Sequence, residues 1–131
     1  NDHMCGKGIQ TVFQEDGITR NKQYNGHWKK YCRDGIGTQT VFHKDGITRN
    51  KQYNGEWKND NMCGKGIYTL FQKDGVRSRS IYEGMLLQNM RHGRGTSIEF
   101  KLDGSTQTRT GMWQNDKYIK PADKVVTRMQ P

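Results

Sequence analysis

The stretch that decides the fold reads Tyr53-Asn54-Gly55-Glu56-Trp57, then Gly64-Lys65-Gly66, then Asp74-Gly75. Each glycine motif returns along the chain at a nearly constant interval, for example 29 residues from Gly35 to Gly64. A fixed period of this length is typical of repeat proteins, in which each unit is one supersecondary element stacked on its neighbours. The motifs account for all 16 glycines of the 131-residue chain, namely Gly6, Gly8, Gly17, Gly26, Gly35, Gly37, Gly46, Gly55, Gly64, Gly66, Gly75, Gly84, Gly93, Gly95, Gly104 and Gly111.

Each unit has the pattern of a β-hairpin. Residues 66–72 are rich in β-branched and aromatic types, and an Asp-Gly pair separates them from a second such run at 76–87. No helical period of apolar residues occurs in the repeats, and the first proline is Pro121. We therefore expect an all-β fold, an elongated single-layer antiparallel sheet of four stacked hairpins with about eight strands.

Residues that recur at the same place in successive units form a column, and large side chains flank one column of glycines. Tyr24 and Trp28 lie two residues on either side of Gly26, so all three share one face of a strand. A three-residue tip at Glu15-Asp16-Gly17 would set Gly8 opposite Tyr24, and each ring would cover a cross-strand glycine. We expect the stacked rings to form the core. The ring positions are Tyr24, Trp28, Tyr53, Trp57, Tyr82 and Trp113, with Leu86 replacing tryptophan in the third unit.

The repeats predict one array followed by an exit segment. The array covers residues 1–116, and the basic exit segment covers residues 117–131 and could contain a short helical turn. The residues from Asn1 to Gly8 correspond to those from Asn59 to Gly66, so we expect the parent protein to extend further upstream. The four units are residues 5–33, 34–62, 63–91 and 92–116.

Charge and cysteine content restrict the classes of partner and compartment. The net charge is +9, which favours an acidic protein surface, anionic lipid or nucleic acid. No apolar stretch approaches the roughly 20 residues that span a bilayer. Three cysteines, an odd number, suit a reducing intracellular compartment.

One column of residues resembles a metal-ligand set, but its expected spacing argues against a metal. Cys5, Asp34, Cys63 and His92 would lie roughly 10 Å apart in stacked hairpins, whereas zinc ligands lie about 2.0–2.3 Å from one ion. No nucleophile motif or phosphate-binding loop is present; each Gly-Lys-Gly leads into a strand rather than a helix. We expect no catalysis, no metal and no cofactor.

Two further sets of residues are candidates for binding a partner. The phenylalanine column lies on the face opposite the rings, where it either packs along the sheet or is covered by a partner. Basic residues near the hairpin tips form either a solvated rim or a footprint for something acidic. The candidates are Phe13, Phe42, Phe71, Phe100, Arg20, Lys22, Arg49, Lys51, Arg77 and Arg79.

These motifs resemble the MORN repeat (membrane occupation and recognition nexus). Tyr82-Glu83-Gly84, His92-Gly93-Arg94-Gly95 and Asp103-Gly104 match its pattern most closely, and the resemblance covers about residues 5–113. The units are longer than usual in that family. Arg109 stands where the fourth unit should have tyrosine.

The resemblance implies a non-catalytic scaffold that binds other proteins in a cytoskeletal assembly, for example in a cilium or its axoneme. One alternative is a membrane-associated module for acidic phospholipids, which the basic tips favour although no exposed apolar residue is evident. Another is a regulatory region of a larger enzyme such as a lipid kinase. Nucleic acid is disfavoured, because the rings cover glycines and are not available for stacking on bases.

Overall fold

The computed structural model describes residues 5–122, which form nine antiparallel strands in one open sheet. The order of strands in the sheet follows the chain, so each strand pairs with its sequence neighbours. The described residues contain no helix, and therefore no helix long and apolar enough to cross a membrane. The expected all-β sheet is confirmed. Its strands are β1 (Gly6–Phe13), β2 (Arg20–Lys29), β3 (Cys32–Phe42), β4 (Arg49–Lys58), β5 (Asn61–Phe71), β6 (Ser78–Leu87), β7 (Met90–Phe100), β8 (Thr106–Gln114) and β9 (Lys117–Pro121).

Two kinds of connection alternate along the sheet. One is the Asp-Gly tip, and the other is a two-residue turn such as Asn59-Asp60, where φ is 48° and 69°. Two successive positive φ angles are those of a type I′ turn, whose twist matches the twist of antiparallel strands. The turns of this kind are Lys30-Tyr31, Asn59-Asp60, Gln88-Asn89 and Asn115-Asp116.

The expected three-residue tip at Glu15-Asp16-Gly17 is wrong, because the first connection spans residues 14–19. The Asp16 carboxylate accepts hydrogen bonds from the backbone N–H groups of Ile18 and Thr19 at 2.9 and 2.8 Å. An aspartate that binds the backbone of the following residues stabilises a longer turn than the glycine alone requires.

The longer tip changes the pairing of the strands. Gly8 pairs with Gly26 and not, as expected, with Tyr24, and the register shifts between Val12 and Phe13. The displacement from the expected pairing is two residues, so the rings and their glycines stay on the predicted face. The rings still cover glycines, but Trp28 lies against Gly8 and Tyr24 lies against Gly37.

Tyr24 shows where the rings lie. Its side chain packs on Gly37 of β3, where a Cβ atom would collide with the phenol ring. Its hydroxyl donates a hydrogen bond to the carbonyl oxygen of His27 at 2.9 Å. Tyr53 and Tyr82 repeat both contacts one and two units later. The predicted ring column is therefore the core, which comprises Tyr24, Trp28, Tyr53, Trp57, Tyr82, Leu86 and Trp113.

A ninth strand follows the four hairpins. The residues Lys117–Pro121 pair with β8, and the Tyr118 ring lies 5.2 Å from the ring of Trp113. The helical turn expected somewhere in the exit segment does not occur in residues 117–122, where the chain is extended through Pro121 and the Tyr118 ring is partly buried against the core. The remainder of the exit segment, residues 123–131, and residues 1–4 lie outside the described part of the chain.

Candidate binding surfaces of the sheet

A groove runs across the repeats on the face that carries the aromatic core. It consists of three adjoining cavities of about 200, 240 and 330 Å³. The first two cavities share Arg33 and Gln39 in their walls, and the second and third share Met62 and Tyr68. The groove therefore crosses several strands, and we call it the aromatic groove.

Edge-to-face aromatic pairs form the floor of the aromatic groove. The Tyr24 ring lies 5.0 Å from that of Trp28 and 5.3 Å from that of Trp57, nearly perpendicular to both. Tyr53 continues the series at 5.3 Å from Trp57. Such pairs are the favoured arrangement of aromatic quadrupoles. Burial of the phenol raises the pKa of Tyr53, so this floor stays uncharged at neutral pH.

One wall of the groove is built from contacts between successive repeats. The Arg33 guanidinium lies 4.6 Å from the centre of the Trp57 ring and forms an ion pair with Asp60 at 3.1 Å. The backbone N–H of Arg33 also donates to the Asp60 carboxylate at 2.7 Å, and the backbone N–H of Asp60 donates to the carbonyl of Arg33 at 3.0 Å. We call this set of contacts a clip.

The clip sets the ionisation of its carboxylate. Partial burial acts to raise the pKa of Asp60, but hydrogen bonds from the backbone and side chain of Arg33 outweigh it and leave the pKa lowered. Arg91 and Asp116 form an equivalent clip, with an ion pair of 3.3 Å and the guanidinium 4.5 Å from the ring centre of Trp113. These paired charges are part of the framework of the sheet.

The opposite wall carries lysines. Lys22 and Lys51 occupy the same position in the first and second units, and both line the aromatic groove beside Val41. Neither side-chain ammonium group has an ion-pair or hydrogen-bond partner among residues 5–122. Two of the predicted partner-binding residues therefore present free positive charge to this groove.

The predicted phenylalanine and arginine residues meet on the other face. The Arg20 guanidinium lies 4.1 Å from the centre of the Phe42 ring, and Arg49 lies equally close to Phe71. Arg20 also donates to the carbonyl of Gly46 at 3.0 Å. The phenylalanine column is thus partly covered by the chain itself, which favours packing along the sheet over contact with a partner.

The remaining predicted residues of this set are more open. The Phe13 side chain is 47% exposed, whereas Phe71 is 8% exposed. Phe100 is half-buried, and Arg79 is exposed on β6. Arg77 forms an ion pair with Asp74 of its own tip at 2.7 Å. The structure does not bring these residues together into one site, and their part in binding stays a prediction.

Exposed aliphatic side chains at the tips are a feature that the sequence reasoning missed. Each tip carries one, and their exposed fractions are 81% for Ile18, 75% for Ile47, 72% for Val76 and 98% for Leu102. The signal was present in the sequence, since an isoleucine or valine directly follows the first three Asp-Gly pairs. The expectation that no apolar residue is exposed there is wrong, because these side chains point away from the sheet.

Metal-ligating side chains do not gather in the described part of the chain. Among residues 5–122, no group of three or more histidine, cysteine, aspartate or glutamate side chains could hold a metal ion. The three cysteines are free thiols. Desolvation raises the pKa of the Cys63 thiol, which lowers its fraction of reactive thiolate.

Comparison with known proteins identifies the repeated unit. The model of the MORN repeat matches residues 53–71 and 82–98. Each match covers two adjacent strands and the two-residue turn that joins them. A comparison with curated proteins found no match. MORN repeats mediate interactions with proteins or with membranes. Residues 53–71 and 82–98 therefore match MORN repeats, which is consistent with a MORN-repeat protein.

Proposed function

We propose that this chain is a non-catalytic scaffold that binds an acidic segment of another protein in the aromatic groove. The observation that carries the proposal is the pair Lys22 and Lys51, whose free ammonium groups line a groove with a rigid aromatic floor. Interfaces of this kind combine apolar and aromatic contact area with a few charges that select the partner.

The geometry favours an elongated ligand over a small molecule. Lys22 and Lys51 are equivalent positions two strands apart, which corresponds to about 10 Å. The groove extends one repeat further, past Tyr68 and Leu70. A peptide of about seven extended residues would follow this distance at about 3.3 Å per residue. The cytoskeletal setting, with a cilium or its axoneme as the first place to look, is part of this proposal and rests on the family resemblance.

Selection from a library of displayed random peptides tests the proposal. We expect the chain to enrich peptides rich in Asp and Glu, and the double variant Lys22→Glu/Lys51→Glu to lose their binding. Lys7→Glu/Lys65→Glu is the matched control, because it makes the same change of charge on the opposite face. Enrichment without acidic residues, or equal loss of binding in both double variants, would contradict the proposed site.

The exposed tips support a second candidate function, peripheral binding to an anionic membrane. Ile18, Ile47 and Val76 lie at equivalent tips along one side of the sheet, where they could enter the interface while nearby basic residues contact the headgroups. Pelleting with vesicles that contain phosphatidylserine is the test. We expect Ile47→Ser/Val76→Ser to weaken pelleting and Ile36→Ser/Ile67→Ser, on the sheet face, to leave it unchanged. No pelleting of the wild type at low salt excludes this function.

A further inference from the structure

Six residues at one end of the aromatic groove differ from the residues 29 positions earlier in the chain. Repeat alignment pairs each residue with the one 29 positions later. Most of the exchanges remove a charge or a polar group, and one replaces a tryptophan by a smaller side chain. The pairs are Arg33 and Met62, Gln39 and Tyr68, Val41 and Leu70, Lys51 and Ser80, Trp57 and Leu86, and Asp60 and Asn89.

The six later residues of these pairs meet in one place. Together with Tyr82 and the Arg91–Asp116 clip, they line the cavity of about 330 Å³ at one end of the aromatic groove. The six exchanges therefore change one cavity, which we call the apolar socket.

The packing explains why the socket is open. In the second unit Trp57 fills its position, and the Arg33 guanidinium lies over the indole. At the socket Leu86 is smaller than tryptophan, and Met62 brings no guanidinium or ion pair. The only ionised side chains at the rim, Arg91 and Asp116, are paired with each other. The socket is therefore lined mainly by apolar and aromatic side chains, with Ser80 and Asn89 as its uncharged polar groups, and no unpaired charge lies among its lining residues.

We propose that the apolar socket binds one bulky apolar side chain, aromatic or aliphatic, of the acidic segment that occupies the groove. A cavity of about 150 Å³ lined by apolar groups is enough to bind benzene, so the space suffices for one ring. This inference rests on the proposed function, which supplies the acidic residues beside the apolar side chain.

The charges determine the pattern of the ligand. Ser80 in the socket, Lys51 and Lys22 occupy equivalent positions at successive steps of about 10 Å. A peptide in the polyproline II conformation rises about 3.1 Å per residue with three residues per turn, so it covers each step in about three residues and turns every third side chain to the same side. Acidic residues three and six positions from the apolar side chain would then reach Lys51 and Lys22. A second copy of this chain is a poor occupant, because its net charge of +9 opposes the lysines.

Synthetic peptides and two variants test the inference. The probe is a fluorescein-labelled peptide with one central Trp, Glu at three and six positions on both sides, and Ser elsewhere; the reference peptide has Ala for Trp. We expect the Trp peptide to bind the wild type about 10-fold or more tightly than the Ala peptide, since burying one large apolar side chain contributes that much. Leu86→Trp, which restores the residue of the second unit, should abolish the difference and leave the Ala peptide unaffected.

Controls separate a failure of the socket from a failure of the groove. Met62→Arg should also remove the preference for Trp, whereas Met85→Arg on the opposite face should not, and circular dichroism confirms that each variant folds. Equal affinity of the two peptides for the wild type, or a Trp preference that survives Leu86→Trp, overturns the socket but not the groove. If neither peptide binds the wild type, both proposals are overturned.

Discussion

The indole N–H of Trp57 donates a hydrogen bond of 3.0 Å to the carbonyl oxygen of Gly37 on the neighbouring strand. Trp28 and Trp113 donate equivalent bonds to the carbonyls of Gly8 and Gly95 at 3.1 and 3.0 Å. The tryptophan therefore supplies both apolar area and a partner for a backbone group that the sheet would otherwise leave to water.

Replacing this residue tests whether the ring column is the core. We expect Trp57→Ala to lower the free energy of unfolding by about 3–5 kcal/mol, because it removes a buried ring and leaves a cavity. Urea denaturation measures the change. Ile36→Ala, at an exposed position of the opposite face, should stay within about 0.5 kcal/mol of the wild type. A similarly small effect of Trp57→Ala would mean that the rings do not hold the sheet together.

A methyl group on the covered glycine tests the same packing from the other side. We expect Gly37→Ala to destabilise the fold by about 1–3 kcal/mol, because the new Cβ collides with the Tyr24 ring. The ring has little room to move, since it also packs against Trp28 and Trp57. Thermal unfolding of the variant beside Thr38→Ala, at the next residue, checks the expectation. Equal melting temperatures for the two variants would contradict it.

The clip occurs with an aspartate, Asp60, which binds the backbone of Arg33, and in a neutral form with Asn89, which binds the backbone of Met62. The two forms predict which substitutions at Asp60 are tolerated. Asp60→Ala should cost about 1–3 kcal/mol, because it leaves the backbone N–H of Arg33 without its acceptor. Asp60→Asn should cost clearly less, since Asn89 makes the same bond to the backbone N–H of Met62 at 2.8 Å in the next unit. Denaturant unfolding of the two variants compares them. If both variants lose the same stability, the ion pair and not the backbone bond is what matters.

The tips predict a loss of stability in acid. The Arg77 side chain, followed by the backbone N–H groups of Val76 and Arg77, lowers the pKa of Asp74 from 3.8 to about 2. A carboxyl group whose pKa is lower in the folded chain stabilises the fold above its unfolded pKa. That contribution is therefore complete above about pH 5 and is lost as the pH falls from 4 to 2.

Asp74→Asn should accordingly reduce the stability at pH 6 and make it less dependent on pH between 4 and 2. Thermal unfolding at several pH values measures both effects. Glu83→Gln, on the sheet face away from the tips, is the control that should leave the acid dependence unchanged. An unaltered pH profile in Asp74→Asn would show that the tip carboxylate does not contribute to stability.

Much of the fold could be predicted from the positions of glycine and the rings. The even spacing of Tyr24, Gly26 and Trp28 places them on one face whatever the exact pairing of the strands, so the core was correctly located. The register depended on the tip, and the Asp16 carboxylate lengthens that tip by binding two backbone N–H groups. A hydrogen bond of this kind is not visible in the spacing of glycines.

The candidate site was less accessible to sequence reasoning. The spacing of Arg20 and Lys22, two residues apart, predicts one basic rim, yet Lys22 lines the aromatic groove and Arg20 lies over Phe42 on the other face. The register shift near the tip separates them, because it moves Arg20 to the opposite side of the sheet. The exchanges at the apolar socket could be read from the sequence, but their meeting in one cavity required the coordinates.

The exchange of Trp57 for Leu86 one unit later also has a mechanical consequence. In such an array each unit is stabilised mainly by its neighbours. We therefore expect the sheet to bend and open first near Leu86, where the side chain is smaller than tryptophan and Met62 and Asn89 form no ion pair. A ligand side chain seated between Met62 and Leu86 would take the place of the missing indole. Binding would then stiffen this part of the sheet, and the partner would change the flexibility of the whole array.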